Sequence, residues 1–325
     1  MLLSIKPLRD FWEEILAVFC RVLKFGMLPI RYYINPLNMV LDMKIDNVSR
    51  VRFSDLRTRL IGWLKIGVVA LLSMIASQPV FLLLWTLISF LAFKEYLSLI
   101  SPRQEDRRVL FFAYLAIPIQ YFFVAIHWYG MFIILIPVYV FLFLPFCMIL
   151  QGRVKGFVQS VGSLHWGLML TTFSISHAAY LLALPHLQGV HFNGKTLLLF
   201  LLLLTQCNDI VQYIVSEWGG RQIAPQISPG KTWAGCIIGG SATIALAVVI
   251  APYLTPLPWI GAALVGSLMA LAGLVGDLIV SVVKEDMGAN EGSAFLPGRS
   301  GVLGWLNSLT YAAPLFFHTM YYFYY

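Results

Sequence analysis

Nine apolar segments, each close to the about 20 residues that a helix needs to cross a bilayer, fill most of the chain beyond residue 61. They run over 62–78, 80–98, 109–127, 130–149, 164–184, 195–217, 232–252, 258–284 and 303–323. Hydrocarbon offers no partner for a backbone N–H or C=O, so segments of this length must satisfy their own hydrogen bonds and are read as helices. The expected fold is all-α, a polytopic integral membrane helical bundle of about nine transmembrane helices. Composition agrees: 59% of the 325 residues are apolar and 11% charged, with a mean hydropathy of +0.81. A disordered tail, a secreted disulfide scaffold and an ordinary soluble enzyme each need more polar surface or more cysteine. Cys20, Cys147, Cys207 and Cys236 are far apart, form no CxxC pair and read as packing residues.

Charge placement orients the bundle. With the N-terminus on the cytoplasmic side, the inner loops carry Arg103, Arg107, Arg108, Arg153, Lys155, Arg221, Lys231, Lys284 and Arg299, and the outer ones carry Lys195. The net charge of +7 therefore reports orientation, and no nucleic-acid partner is expected. Residues 11–30 are interrupted by Glu13, Glu14, Arg21 and Lys24 and lack a small-residue cleavage site, so they are not read as a cleavable signal peptide. Three regions follow: a basic amphipathic, cytoplasmic or interfacial region over 1–60, ending in Arg50, Arg52, Arg57 and Arg59 beside anionic lipid; N-terminal membrane helices over 61–150; and a C-terminal membrane region over 151–325.

Polar residues inside apolar segments mark the candidate site. Asp209, Gln212, Tyr213 and Ser216 stand at i, i+3, i+4 and i+7, on one helical face, with Asn208 beside them. A carboxylate costs about 2.5–3.5 kcal/mol on insertion scales near the bilayer centre. Either it serves a site there, or the helix is already emerging into water. Asp277, Ser281 and Lys284 repeat the pattern at i, i+4 and i+7, beside Gly273 and Gly276. They are either a neutralised pair or a metal-binding carboxylate with a phosphate-binding lysine. Ser228-Pro229-Gly230-Lys231-Thr232-Trp233 precedes the next apolar run; a helix start with a lysine suits a phosphate, and equally suits a plain turn. It is not a Walker A loop, whose first glycine would fall at Pro225. The loop from Glu285 to Arg299 mixes acids with glycines and reads as a nucleotide or metal pocket, or as a solvated hairpin. His177 faces a site or a packing neighbour.

Taken together these motifs resemble the phosphatidate cytidylyltransferases, or CDP-diacylglycerol synthases. The likeness rests on Asn208-Asp209 with Gln212-Tyr213, Gly220-Arg221, Ser228-Pro229-Gly230-Lys231-Thr232-Trp233, Ser281-Val282-Val283-Lys284, and Leu296-Pro297-Gly298 with Gly301-Val302-Leu303. The resemblance implies attack of phosphatidate on the α-phosphorus of CTP, giving CDP-diacylglycerol and pyrophosphate with Mg2+, in a multi-pass protein of the bacterial inner (cytoplasmic) membrane. It implies catalytic roles for Asp277, Lys284 and Asp209, with Asp277 as metal ligand. It also implies substrate binding by Lys231, Ser228, Arg221, Asn208, Gln212, Ser281 and Arg299. The chain departs from the family signature at Gly304 and Asn307, where aspartates are expected, at Trp305 and Glu285, where arginines are expected, and at Asn290-Glu291 in place of a Lys-Asp pair. Two readings follow: the family reaction in weakened or altered form, or a lipid- or nucleotide-binding protein without catalysis, acting as a homodimer or as a partner subunit.

Overall fold

The computed structural model describes residues 62–100, 107–150, 152, 156–185, 192–286 and 301–325. These lie in one compact unit, Leu56–Tyr325. The basic region over 1–60 and Arg299 fall outside the described residues.

Each of the nine expected segments is largely helical among the described residues. Helices α1 (Gly62–Ile75), α2 (Gln78–Ile100) and α3 (Arg107–Ala125) are followed by α4 (Tyr129–Ile149) and by α5, which spans 157–183. Helix α6 (Gly194–Glu217) leads into strands β1 (Gln222–Ala224) and β2 (Ser228–Thr232). Helices α7 (Trp233–Leu254) and α8 (Trp259–Asp286) come next, then the one-turn α9 (Val302–Trp305) and α10 (Asn307–Tyr324). Five of these, α2, α4, α6, α7 and α8, are long and apolar enough to cross a membrane.

Local sequence explains the boundaries. Asn193 starts α6 with a reciprocal cap: its side chain accepts from the Thr196 N–H at 3.0 Å, and the Thr196 hydroxyl accepts from the Asn193 N–H at 3.1 Å. Thr232 caps α7, its hydroxyl accepting from the Gly235 N–H at 3.1 Å. Helices α4 and α5 each contain a π-helical stretch, Leu135–Val140 and Met169–Phe173. Pro118, Pro145, Pro252 and Pro314 lie within helices, where neighbouring helices tolerate the lost backbone bond.

Of the stretch 228–233 expected to open a helix, Trp233 does start α7 behind its Thr232 cap, while Ser228–Thr232 form the second strand of a small antiparallel hairpin, with Gln222 opposite Thr232 and Ala224 opposite Ser228. Gly219 and Gly220, at φ of +91° and +128°, take the chain from α6 into it. This hairpin departs from a purely helical fold, and it sets Lys231 on an extended backbone just ahead of α7.

The core packs Trp85, Phe93, Phe132, Phe200, Phe316 and Phe317, all fully buried. His177 belongs to it: its ring lies against Phe132, Phe173 and Phe317, with centroids 4.8, 4.7 and 5.3 Å away, which is the packing role. Several charged residues lie in the C-terminal halves of their helices, Glu95 in α2, Asp209 in α6 and Asp277 and Lys284 in α8, with Lys231 against Asp277 and Lys284 in reach of Glu95. At the N-terminal end of α6 the Lys195 ammonium donates to the Met74 carbonyl at 2.6 Å.

Candidate functional site

Helices α6, α7 and α8 pack side by side, and small residues set their spacing. A Cβ at Gly239 would come within 2.6 Å of Gln212 Cγ, and one at Gly276 within 2.5 Å of the Asn307 carbonyl oxygen. Glycine at these positions lets polar side chains of α6 and the start of α10 lie between helices.

A connected polar network fills the space. Lys231 Nζ lies 2.7 Å from Asp277 Oδ2 and donates to Gln212 Oε1 at 3.2 Å. Gln212 Nε2 donates to Asn208 Oδ1 at 2.9 Å, and Asn208 Nδ2 donates to the Ala270 carbonyl of α8 at 3.3 Å. Asn208 and Gln212 are buried, so the network satisfies amides that would otherwise be costly in an apolar interior. From α10, Asn307 Nδ2 donates to Asp277 Oδ1 at 2.8 Å, and the Ser308 hydroxyl lies 2.7 Å from each oxygen of Asp209. Beside the cluster, the Thr232 hydroxyl meets that of Ser216 at 3.1 Å.

The Lys231 ammonium is held charged. Burial works against it, but the carboxylates of Asp277 and then Asp209 outweigh that cost and lift its pKa above the ordinary lysine range. The side chains of Lys231 and Asp277 keep 15% and 24% of their surface exposed, so the pair can be reached from outside the bundle.

The sequence-expected residues divide into two groups. Asp277, Lys231, Gln212, Asn208 and Asp209 converge. Ser281 turns its hydroxyl back to the Asp277 carbonyl at 2.8 Å, and Ser228 opens β2 opposite Ala224. Arg221 is exposed ahead of β1, with its carbonyl accepting from the Trp233 N–H at 3.0 Å. Lys284 lies further along α8, within electrostatic range of Glu95 on α2. The stripe expected on α6 fans out: Gln212 and Ser216 face the hairpin and α7, Asp209 faces α10, and Tyr213 meets the Trp63 ring edge-on at 6.2 Å. Among the described residues, no group of three or more His, Cys, Asp or Glu side chains stands ready to hold a metal.

Sequence reasoning treats Asn307 as a lost aspartate and assigns Ser308 and Glu95 no role. All three are structural partners. The signal for Asn307-Ser308 is present in the sequence as a polar pair at the head of an apolar run, which reads equally well as a helix start. Trp305, another of the departures, lies beside α1, where a Cβ at Gly62 would stand 3.7 Å from Trp305 Cβ.

The uncharacterized protein YnbB of Escherichia coli (strain K12) is 40% identical over 261 residues, 78% of this chain and 83% of YnbB. The phosphatidate cytidylyltransferase of Brucella abortus (strain 2308) is 35% identical over 138 residues, 42% of this chain and 51% of that protein. That of Synechocystis is 36% identical over 111 residues, 34% of this chain and 38% of its own length. This chain thus matches about half, or less, of the length of these two named enzymes. The pattern that defines the cytidylyltransferase family matches residues 57–323, and the chain belongs to that family.

Proposed function

We propose that this protein transfers a cytidylyl group from CTP to a phosphatidate-like lipid, at a site facing the cytoplasm from a nine-span bundle in the bacterial inner membrane. The observation that carries the reading is the Lys231–Asp277 pair, 2.7 Å apart and anchored by the Gln212–Asn208 amides. Transfer at phosphorus depends almost entirely on positioning and charge neutralisation, and this pair supplies one cation and one hard oxygen donor at the polar end of an apolar bundle. A lipid phosphate held at the bilayer surface and a nucleotide arriving from water can both reach that end. The gathering of basic residues there supports its cytoplasmic placement.

In this reaction a phosphate oxygen of the lipid attacks the α-phosphorus of CTP, a new P–O–P bond forms, and pyrophosphate leaves. Lys231 receives the nucleotide phosphates. Gln212 holds the lysine head in place, Asp209 supports its charge, and Arg221 and Lys284 add positive charge to the approach. The donor set fits Mg2+, which binds through one or two carboxylates together with phosphates and water. Asp277 is the carboxylate, and Asn307, whose buried Oδ1 has no hydrogen-bond partner among the described residues, would supply a further oxygen. Bound there, the ion neutralises phosphate charge.

A specific observation favours a second reading: Asn307 occupies one oxygen of Asp277 with an amide donor, at 2.8 Å, where the family signature has a second carboxylate. On that reading the protein binds nucleotide or lipid without turnover and serves as a partner subunit. Purified protein with labelled CTP, phosphatidate and Mg2+, assayed beside Asp277→Ala, separates the two. Magnesium-dependent formation of CDP-diacylglycerol that the substitution abolishes supports the first. Absence of turnover with CTP binding retained sinks the first and supports the second.

A further inference from the structure

Glu95 is a carboxylate within the apolar 23-residue helix α2. It is half-buried, and its Oε2 accepts from the Leu303 N–H at 2.9 Å. The Val302 N–H lies close to the same carboxylate. These two residues open α9, which has no side-chain cap from its own preceding residue. Gly301 stands so close that a Cβ there would overlap the Glu95 carboxylate. Its φ of −64° is open to any residue, so a side chain there would meet only the flexible Glu95 head, which would have to leave its place at the start of α9. Lys65 of α1 and Lys284 of α8 add opposite charge around Glu95. Only Leu306 separates α9 from α10, so a shift at 302–303 passes directly to Asn307 and Ser308, the donors to Asp277 and Asp209.

We propose that Glu95 is a positioning residue for the polar cluster: by clasping the start of α9 to α2, it fixes the register at which Asn307 meets Asp277 and Ser308 meets Asp209. The clasp stands on geometry alone, and its effect on turnover rests on the cytidylyl-transfer reading above. The test compares wild type, Glu95→Ala and Glu95→Gln in the full chain, in lipid nanodiscs. Hydrogen exchange of Val302 and Leu303 is expected to quicken about ten- to hundredfold in Glu95→Ala, the range set by one charge-assisted hydrogen bond. Glu95→Gln keeps an acceptor oxygen and should recover most of the protection. The kcat for CTP should fall in Glu95→Ala, and Glu95→Gln should restore it. Unchanged exchange in Glu95→Ala overturns the clasp, and faster exchange with an unchanged kcat overturns the positioning role. If wild type turns nothing over, the proposed reaction fails on its own, and positioning is read from stability. Glu95→Ala and Asn307→Ala should then be non-additive, and additive losses overturn it.

Discussion

The sharpest quantitative test removes the carboxylate at the centre of the cluster. Asp277→Ala takes from Lys231 its partner at 2.7 Å and from the Asn307 amide its acceptor at 2.8 Å. A hydrogen bond to a charged group is worth about 1.5–3 kcal/mol and a neutral one about 1 kcal/mol. Severing one side of a sealed ion pair costs about 3–5 kcal/mol, because the surviving charge is stranded. Here the charge is not stranded. Lys231 keeps Gln212 Oε1 at 3.2 Å and the field of Asp209, and the 15% and 24% exposure of the two side chains lets water in. The expected loss is therefore about 2 kcal/mol, below the sealed-pair range. Lys231→Met should cost a similar amount, and the double variant little more than either alone, a coupling of about 1–2 kcal/mol. Denaturant unfolding in mixed micelles across the four proteins measures it. Because folding raises the Lys231 pKa, this contribution is complete below the ordinary lysine value of about 10.4 and fades only as pH climbs through the higher folded value. The coupling should thus be flat through neutral pH and shrink in strong alkali. Additive single losses, with a coupling below about 0.3 kcal/mol, would falsify the pairing.

Other substitutions probe the surroundings. Asn307→Asp sets a second carboxylate against Asp277; thermal stability should drop without divalent cation and recover with added Mg2+, and a magnesium-independent melting temperature refutes this. Ser308→Ala removes the hydroxyl that meets both oxygens of Asp209 and should cost about 1–3 kcal/mol in the same unfolding assay. Gly239→Val forces a side chain onto Gln212 across the α6–α7 contact; a loss of about 1–3 kcal/mol with weakened CTP binding is expected, and neutral behaviour contradicts the close packing. For topology, a cysteine replacing Arg221 should react with an impermeant maleimide only in inverted vesicles, and one replacing Lys195 only in intact cells.

The helices were legible because membrane length and apolar runs dictate them. The segment read as 80–98 is helical over Gln78–Ile100, and the one read as 195–217 over Gly194–Glu217. Gln212, Asn208, Asp209 and Asp277 stood out because polar groups in apolar stretches are costly without a purpose, and Lys231 because a lysine at a helix start suits a phosphate. What the pattern could not yield was pairing across the chain. Asp277 and Lys284 share a helical face by spacing, yet Asp277 pairs with Lys231, 46 positions earlier and delivered by a hairpin. That hairpin was hidden because Pro229-Gly230 reads as a turn into a helix, whereas a two-stranded edge tolerates proline equally well. Glu95 was passed over for the same reason: its partner is a backbone N–H group 208 positions away, and no residue-type pattern records it.

Asn307 and Ser308 are neighbours in sequence, so on α10 they point about 100° apart, one toward α8 and the other toward α6. A single turn of helix thereby serves both carboxylates at once. Since α10 follows α6 and α8 in the chain, each aspartate is synthesised before the residue that donates to it. The bundle must hold two acids without these donors until α10 docks, and only one register serves both: a helix seated one residue off would bring a donor to one carboxylate at most and set Leu306 or Leu309 against the other.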